Sequence, residues 1–314
     1  MKKLVKQIVG IDVAQKELVV CLGRMTDDWS PEIYAHKAFA NNLKGFNALE
    51  NWVKKLVDLE VSVRFVMEAT GVYHEPLAYY LSDRGYTISV VLPNKISNYF
   101  RTLEVKTIND QTASHAITLF GLERKLEDWK RPNVVYKRLR QLVRERDQLI
   151  QERTIVKNQL HAEKSEAEPS SSSMMRMKKR IVLLDKQELE IKTEIQAIVK
   201  KDKNTSDAVQ IISTIPGIGI LTAITVLAET NGFELIRNKR QLTSYAGLDV
   251  VQKQSGTSVQ GKPRISKRGN KYLRKAMYLP ALSAIRCDER FKGIFSRVVA
   301  KNGIKMKAGV AVQR

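Results

Sequence analysis

Three carboxylates have the types and spacing that suit chemistry. Asp12 follows the apolar run Ile8-Val9-Gly10-Ile11, and Glu68 follows Val63–Met67, so each acid ends a short β-rich run. Carboxylates at the ends of neighbouring strands can converge on one point, where they repel unless a cation sits between them. An all-oxygen donor set suits Mg²⁺ or Mn²⁺. A pair of such ions activates a nucleophile and stabilises a leaving oxygen in phosphodiester chemistry. A third acid, Asp110 in Lys106-Thr107-Ile108-Asn109-Asp110, precedes a helical stretch able to carry it to the same place. Each acid alone is an ordinary solvated residue; only their combination points to a site.

The second constellation is cationic. The 314 residues carry 54 Lys and Arg against 33 Asp and Glu, a net charge of +21. From Val250 to Arg314 there are 16 basic and 2 acidic residues, which puts two-thirds of the excess in the last fifth of the chain. Such density points to a polyanion, and nucleic acid is the partner expected. Lys262, Arg264, Lys267, Arg268, Lys271, Arg274 and Lys275 form the core of that run and are the candidate phosphate contacts. Upstream, Ile215-Pro216-Gly217-Ile218-Gly219 separates two apolar helical stretches in the pattern of a helix-hairpin-helix. Gly217 and Gly219 would let backbone N–H groups approach a phosphate there. Tyr245 and Tyr272 suit base stacking but equally suit a core.

Positioning these groups requires an α/β unit first. Short β-rich runs at Ile8–Ile11, Leu18–Leu22, Tyr34–Phe39, Val63–Met67 and Thr87–Leu92 predict five strands. Phe46, Leu49, Trp52, Val53 and Leu56 predict a helix over 43–57, with others through Leu77–Leu81 and Ala116–Leu126. Three strands in succession, then alternation, imply a mixed sheet with helices packed on it. Next, Val135, Leu139, Leu142, Arg146, Leu149, Arg153, Val156 and Leu160 step by three and four, as do Ile181, Leu184, Glu188, Ile191, Ile195 and Ile198. This is a pair of long helices with a coiled-coil seam, interrupted by a Pro/Ser tract read as a flexible tip near 168–175. Arg146, Arg153 and Glu188 inside the seam weaken a solitary hairpin and favour association with another chain. The expected domains are 1–130, 131–204 and 205–314, the last mostly helical and DNA-binding.

Several classes are excluded. No run of about 18 or more apolar residues is present, so a membrane span is not expected. Two cysteines, Cys21 and Cys287, are too few for a disulfide framework or a Cys-ligated zinc site. His36, His74, His115 and His161 share no ligand spacing. A reduced, cytoplasmic protein is expected.

Gly10-Ile11-Asp12-Val13 opening a five-stranded mixed sheet, then Met67-Glu68-Ala69-Thr70-Gly71, resembles the RuvC-like, ribonuclease-H-like fold. More narrowly, the chain is similar to the DEDD transposases of the insertion-sequence-110 family, the bridge-RNA-guided recombinases. Further motifs carry the resemblance over almost the whole chain, in order: Phe120-Gly121-Leu122-Glu123-Arg124-Lys125-Leu126, Ile215–Gly219, Tyr245-Ala246-Gly247-Leu248, Gln254-Ser255-Gly256-Thr257-Ser258, and Arg264-Ile265-Ser266-Lys267-Arg268-Gly269-Asn270.

The resemblance implies a DNA transposase that cleaves and rejoins strands through a covalent 5′-phosphoserine link. Ser255 matches the nucleophile, with Ser258 as the neighbouring fallback. Asp12, Glu68 and Asp110 match divalent-metal ligands. It also implies a structured non-coding guide RNA, donor and target double-stranded DNA, a homo-oligomer (dimer or tetramer), and a nucleoid-associated location in a prokaryotic cell. Two departures stand out. The family carries Asp-x-x-Asp in its third acidic block, and here the second Asp falls on Ala113, whose methyl group binds no metal. The resemblance also implies a further basic, apolar segment after Val310–Arg314. Two rival readings stay open: a RuvC-type metal-dependent junction nuclease, and a nucleic-acid-binding scaffold without catalysis.

Overall fold

The computed structural model describes residues 3–103, 105, 107, 109–252, 254–255, 259–261 and 263–314, with Ser255, Val259, Gln260 and Asn302 described through their backbone. The chain divides into two compact units, Met1–Arg131 and Pro132–Arg314.

In the first unit, β1 (Leu4–Val13), β2 (Glu17–Thr26) and β3 (Pro31–Ala40) form an antiparallel meander. After α1 (Leu43–Leu56), β4 (Val63–Glu68) pairs parallel with β1. Then α2 (Glu75–Ser82) leads to β5 (Thr87–Val91), parallel to β4. The sheet order β3-β2-β1-β4-β5 is the mixed arrangement expected. Two helices follow, α3 (Pro93–Phe100) and α4 (Asp110–Glu123). Pro93 follows the end of β5 and occupies the first turn of α3, where its missing N–H costs nothing.

Period-two alternation sends β1 side chains to two cores. Val9, Ile11 and Val13 join Phe46, Leu49 and Leu77 on one face of the sheet. Ile8 joins Val66, Ile96, Ile117 and Leu122 on the other. Helix α4 starts earlier than the apolar pattern suggested. Asn109 caps it, its side chain accepting from the Thr112 N–H while the Thr112 hydroxyl accepts from Asn109.

The second unit begins with two 31-residue helices, α5 (Val134–Lys164) and α6 (Ser171–Lys201). They run antiparallel: Arg138 meets Glu194 and Arg153 meets Asp185. Leu139, Leu142 and Val143 pack against Ile191, Ile195 and Val199. The charged residues in the seam satisfy each other. Glu188, 5% exposed, accepts from Arg146 at 2.9 Å, Arg153 at 2.6 Å and Lys192 at 2.8 Å. The seam's charges are therefore partnered within the hairpin and do not require a second chain to satisfy them. Ser170 caps α6, so Ser171–Ser173 form its first turn.

Then come α7 (Lys203–Ser213), α8 (Ile220–Thr230) and α9 (Lys239–Tyr245). Two short ladders follow, pairing β6 (Val250–Val251) with β9 (Arg264–Ile265) and β7 (Gln254–Ser255) with β8 (Val259–Gln260). The chain closes on α10 (Lys271–Ala276), α11 (Tyr278–Cys287), α12 (Glu289–Asn302) and α13 (Lys305–Gln313). No helix among the described residues is long and apolar enough to cross a membrane.

Candidate functional site

The acidic corner is built by close packing of α4 on β1. A Cβ on Gly10 would stand 2.1 Å from Thr118 Oγ1, and one on Gly121 would stand 2.8 Å from Ile8 Cγ2. Two glycines in contact positions let the helix lie against the strand. As β1 runs from Ile8 to Gly10, its α4 neighbours run back from Gly121 to Thr118, so the helix is antiparallel to the strand. Its first turn, beginning at Asp110, is thereby carried to the end of β1 that holds Asp12. Glu68 lies one residue beyond the paired Ile11 and Met67 on the neighbouring strand.

Asp12 feels the other two acids. Burial, then the charges of Asp110 and Glu68, push the Asp12 carboxyl up to about 6. Glu68 Oε1 accepts from the Thr70 hydroxyl at 3.3 Å. Ala113 lies three residues after Asp110 in α4, a spacing that puts both on one helix face. Among the described residues, no three carboxylate, imidazole or thiol groups stand close enough to hold a metal ion as they are. The donor chemistry nevertheless fits a hard divalent cation: oxygen ligands alone, with a mutual repulsion that a cation relieves.

The second unit places the cationic run. Arg264, Lys267, Arg268, Lys271 and Lys275 are exposed, and Lys262 lies outside the described residues. Arg274 turns inward, donating to the Ala246 carbonyl at 2.7 Å. Lys275 pairs with Asp147. Ser255 lies in β7; its side chain, like Ser258 as a whole, lies outside what is described. Asp249 is the acid nearest to it in sequence on its N-terminal side, and the Asp249 carboxylate accepts from the Ser266 hydroxyl at 2.6 Å. Gly217, at φ +86°, faces α11, where a Cβ would stand 2.6 Å from the Pro280 carbonyl oxygen. Gly219 caps α8 and meets nothing within 4 Å. Of the two glycines, Gly219 is the open one.

One group absent from the sequence analysis organises this region. Glu229 is fully buried, accepts two hydrogen bonds at 2.7 Å from Arg144, and accepts from the Asn270 amide at 2.6 Å. Its backbone carbonyl accepts from the Tyr245 hydroxyl at 3.0 Å. Asn270 in turn caps α10. The available signal was a single acid in the otherwise uncharged helix Ile220–Thr230, where burial of a charge demands a partner.

Comparison with known proteins finds similar chains along most of the sequence. Residues 9–163 match the family model described as a DEDD transposase of the IS110 type, and residues 209–295 match that of the transposase IS116/IS110/IS902 family. The pilin gene-inverting protein of Moraxella bovis is 25% identical over 98% of this chain and 92% of its own length. The transposase for insertion sequence element IS1111A of Coxiella burnetii is 23% identical over 89% of this chain and 78% of its own. Among solved structures, Thermus thermophilus RuvC in complex with a Holliday junction substrate aligns at a TM-score of 0.30 and 7% identity, covering 39% of this chain and 99% of that one.

Proposed function

The chain belongs to the IS110 family of transposases, and we propose that it recombines DNA through Ser255 as nucleophile, assisted by a divalent-metal carboxylate site. The observation that carries this reading is the acidic corner, where Asp12 is pushed up to about 6 beside Asp110 and Glu68 in a strongly basic chain. Asp12, Glu68 and Asp110 would hold Mg²⁺ or Mn²⁺. The bound ion supplies a Lewis acid for the phosphoryl oxygens. Ser255 Oγ attacks phosphorus, its proton leaves to a base, and the displaced oxygen departs as a 3′ hydroxyl. The strand stays joined to the protein as a 5′-phosphoserine. Attack by another 3′ hydroxyl reverses the step and rejoins DNA, one phosphoester exchanged for another. A serine hydroxyl needs activation. Asp249 is already bonded to Ser266, so the activating group comes from outside this loop.

The cations Arg264, Lys267, Arg268 and Lys271, with Lys262, would grip the phosphate backbone of donor and target DNA, and the open N-terminus of α8 at Gly219 would add a further phosphate contact. The family resemblance adds a structured guide RNA as the selector of sequence. It also adds a homo-oligomer joined through the α5–α6 arm. An unburied stripe on α6 supports the arm's role: Met175, Val182 and Leu189 recur every seventh residue, each more than half exposed. Ala113 in place of the fourth acid leaves the metal site short of a ligand, so catalysis by this chain is impaired.

The test rebuilds that ligand. Ala113→Asp protein is incubated with Mg²⁺ and a plasmid carrying the gene with its natural flanks. A covalent protein–DNA adduct that disappears in the Ala113→Asp/Ser255→Ala double variant is expected. Cutting that persists in the double variant would overturn the serine step in favour of hydrolysis by a junction nuclease. Normal DNA binding without any cutting, with the host cell's total RNA also present, would identify a scaffold.

A further inference from the structure

Between α5, α8, α10 and α11 lies an open cavity of about 890 Å³, wholly within the second unit. Val143, Ile150 and Leu221 line it as an apolar floor, and Tyr278 and Leu279 stand at it exposed. Leu279 is 71% exposed and Tyr278 44%, an unusual placement for large apolar groups in so charged a segment. Four cations also line the cavity, but three are engaged. Arg146 is held by Glu188, Lys275 by Asp147 and Arg274 by the Ala246 carbonyl. Lys271 remains, its ammonium 5.0 Å from the Tyr272 ring centroid and, among the described residues, paired with no carboxylate.

That balance identifies the ligand's chemistry. A row of duplex phosphates would call for several uncommitted cations along a flat face. This site offers concave apolar and aromatic walls with one available positive charge. It fits a planar, largely apolar group bearing one negative charge. We propose that the cavity seats a single unpaired nucleotide, its base against Tyr278 and Leu279 and its phosphate at Lys271, while the exposed cations of Arg264–Arg268 hold the flanking backbone. Its lining includes none of Asp12, Glu68, Asp110 and Ser255. It rests on the reading of the chain as a nucleic-acid enzyme and adds a preference for unpaired strand.

The strand can be DNA or RNA, and binding distinguishes them. Fluorescence anisotropy is measured with a labelled single-stranded DNA oligonucleotide, an RNA of the same sequence, and the DNA duplex. Tyr278→Ala should weaken single-strand binding about five- to a hundredfold, the range expected for loss of one stacked base. It should leave duplex binding within about twofold, and Tyr278→Trp should retain single-strand affinity. A loss confined to DNA or to RNA names the source of the nucleotide. Undiminished single-strand binding by Tyr278→Ala, or an equal loss on duplex, overturns the proposal. If the unaltered protein binds duplex alone, the cavity assignment fails while the transposase reading stands. Failure to bind any of the three defeats that reading itself.

Discussion

Gly10 lies against Thr118 so closely that a Cβ there would stand 2.1 Å from Oγ1 and 2.6 Å from the backbone nitrogen. This contact lets α4 bring its first turn, with Asp110, to the Asp12 end of β1. Gly10→Ala must push helix and strand apart. Overpacking of this kind costs about 1–3 kcal/mol, and the expected result is a lower melting temperature by calorimetry. The matching control is Gly293→Ala in α12, where nothing lies within 4 Å and the φ is not positive. It should be neutral or stabilising by about 0.5–1 kcal/mol.

Glu229 is a buried charge whose two oxygens are both engaged. Glu229→Ala strands Arg144 and frees Asn270, which caps α10. Arg144 is 42% exposed and can be hydrated once its partner is gone, so the loss should fall below the about 3–5 kcal/mol of a fully buried pair. Because Asn270 sits beside the basic loop, trypsin should cut after Lys267 and Arg268 markedly faster in the variant. An unchanged digestion rate would show that Glu229 does not hold the loop.

Glu188 predicts an acid transition in the arm. Burial works against its charge, but hydrogen bonds from Lys192 and Arg153 and the nearby Arg146 charge hold it down at about 2, against an ordinary 4.5. A carboxyl depressed on folding stabilises fully above its unfolded value and loses that contribution as pH falls through its folded value. Stability on the order of 3 kcal/mol should therefore vanish between pH 4.5 and 2. Urea unfolding across that window measures it, and Glu188→Gln should flatten the slope while lowering stability at pH 7.

Association through the arm is checked by light scattering. A monomer has a mass of 35.7 kDa, and the unaltered protein should exceed it. Val182→Lys with Leu189→Lys should return it to monomer with little change in melting temperature, since both side chains are already exposed. A monomer with and without DNA would refute the arm's role.

Local pattern made much of this molecule legible. Strands alternate at period two and helices at 3.6, so β1–β5, α1 and the two long helices are visible from neighbouring residues alone. The acids at Asp12 and Glu68 were readable because each ends such a run. Fine structure near the chemistry was less so. The helix α3 was hidden behind a proline that also starts helices, and α4 begins on a polar turn, Asn109–Thr112, that no apolar spacing marks.

What the sequence by itself determined is the five strands, α1 and the two long helices, the family motifs, the alanine at 113 and the concentration of cations after Val250. Only tertiary structure decided which charges are spent. Arg146, Arg153 and Glu188 looked like flaws in a seam and proved to be partners 35 and 42 residues apart. Arg274 and Lys275 looked equal to Lys271 until a carbonyl and Asp147 claimed them. Glu229 seemed unremarkable until Arg144 and Asn270, 85 and 41 residues away, met it in the interior. The physical reason is the same in each case. Hydrophobic periodicity is a property of adjacent residues, whereas a charge's environment depends on whatever distant groups the folded chain places around it.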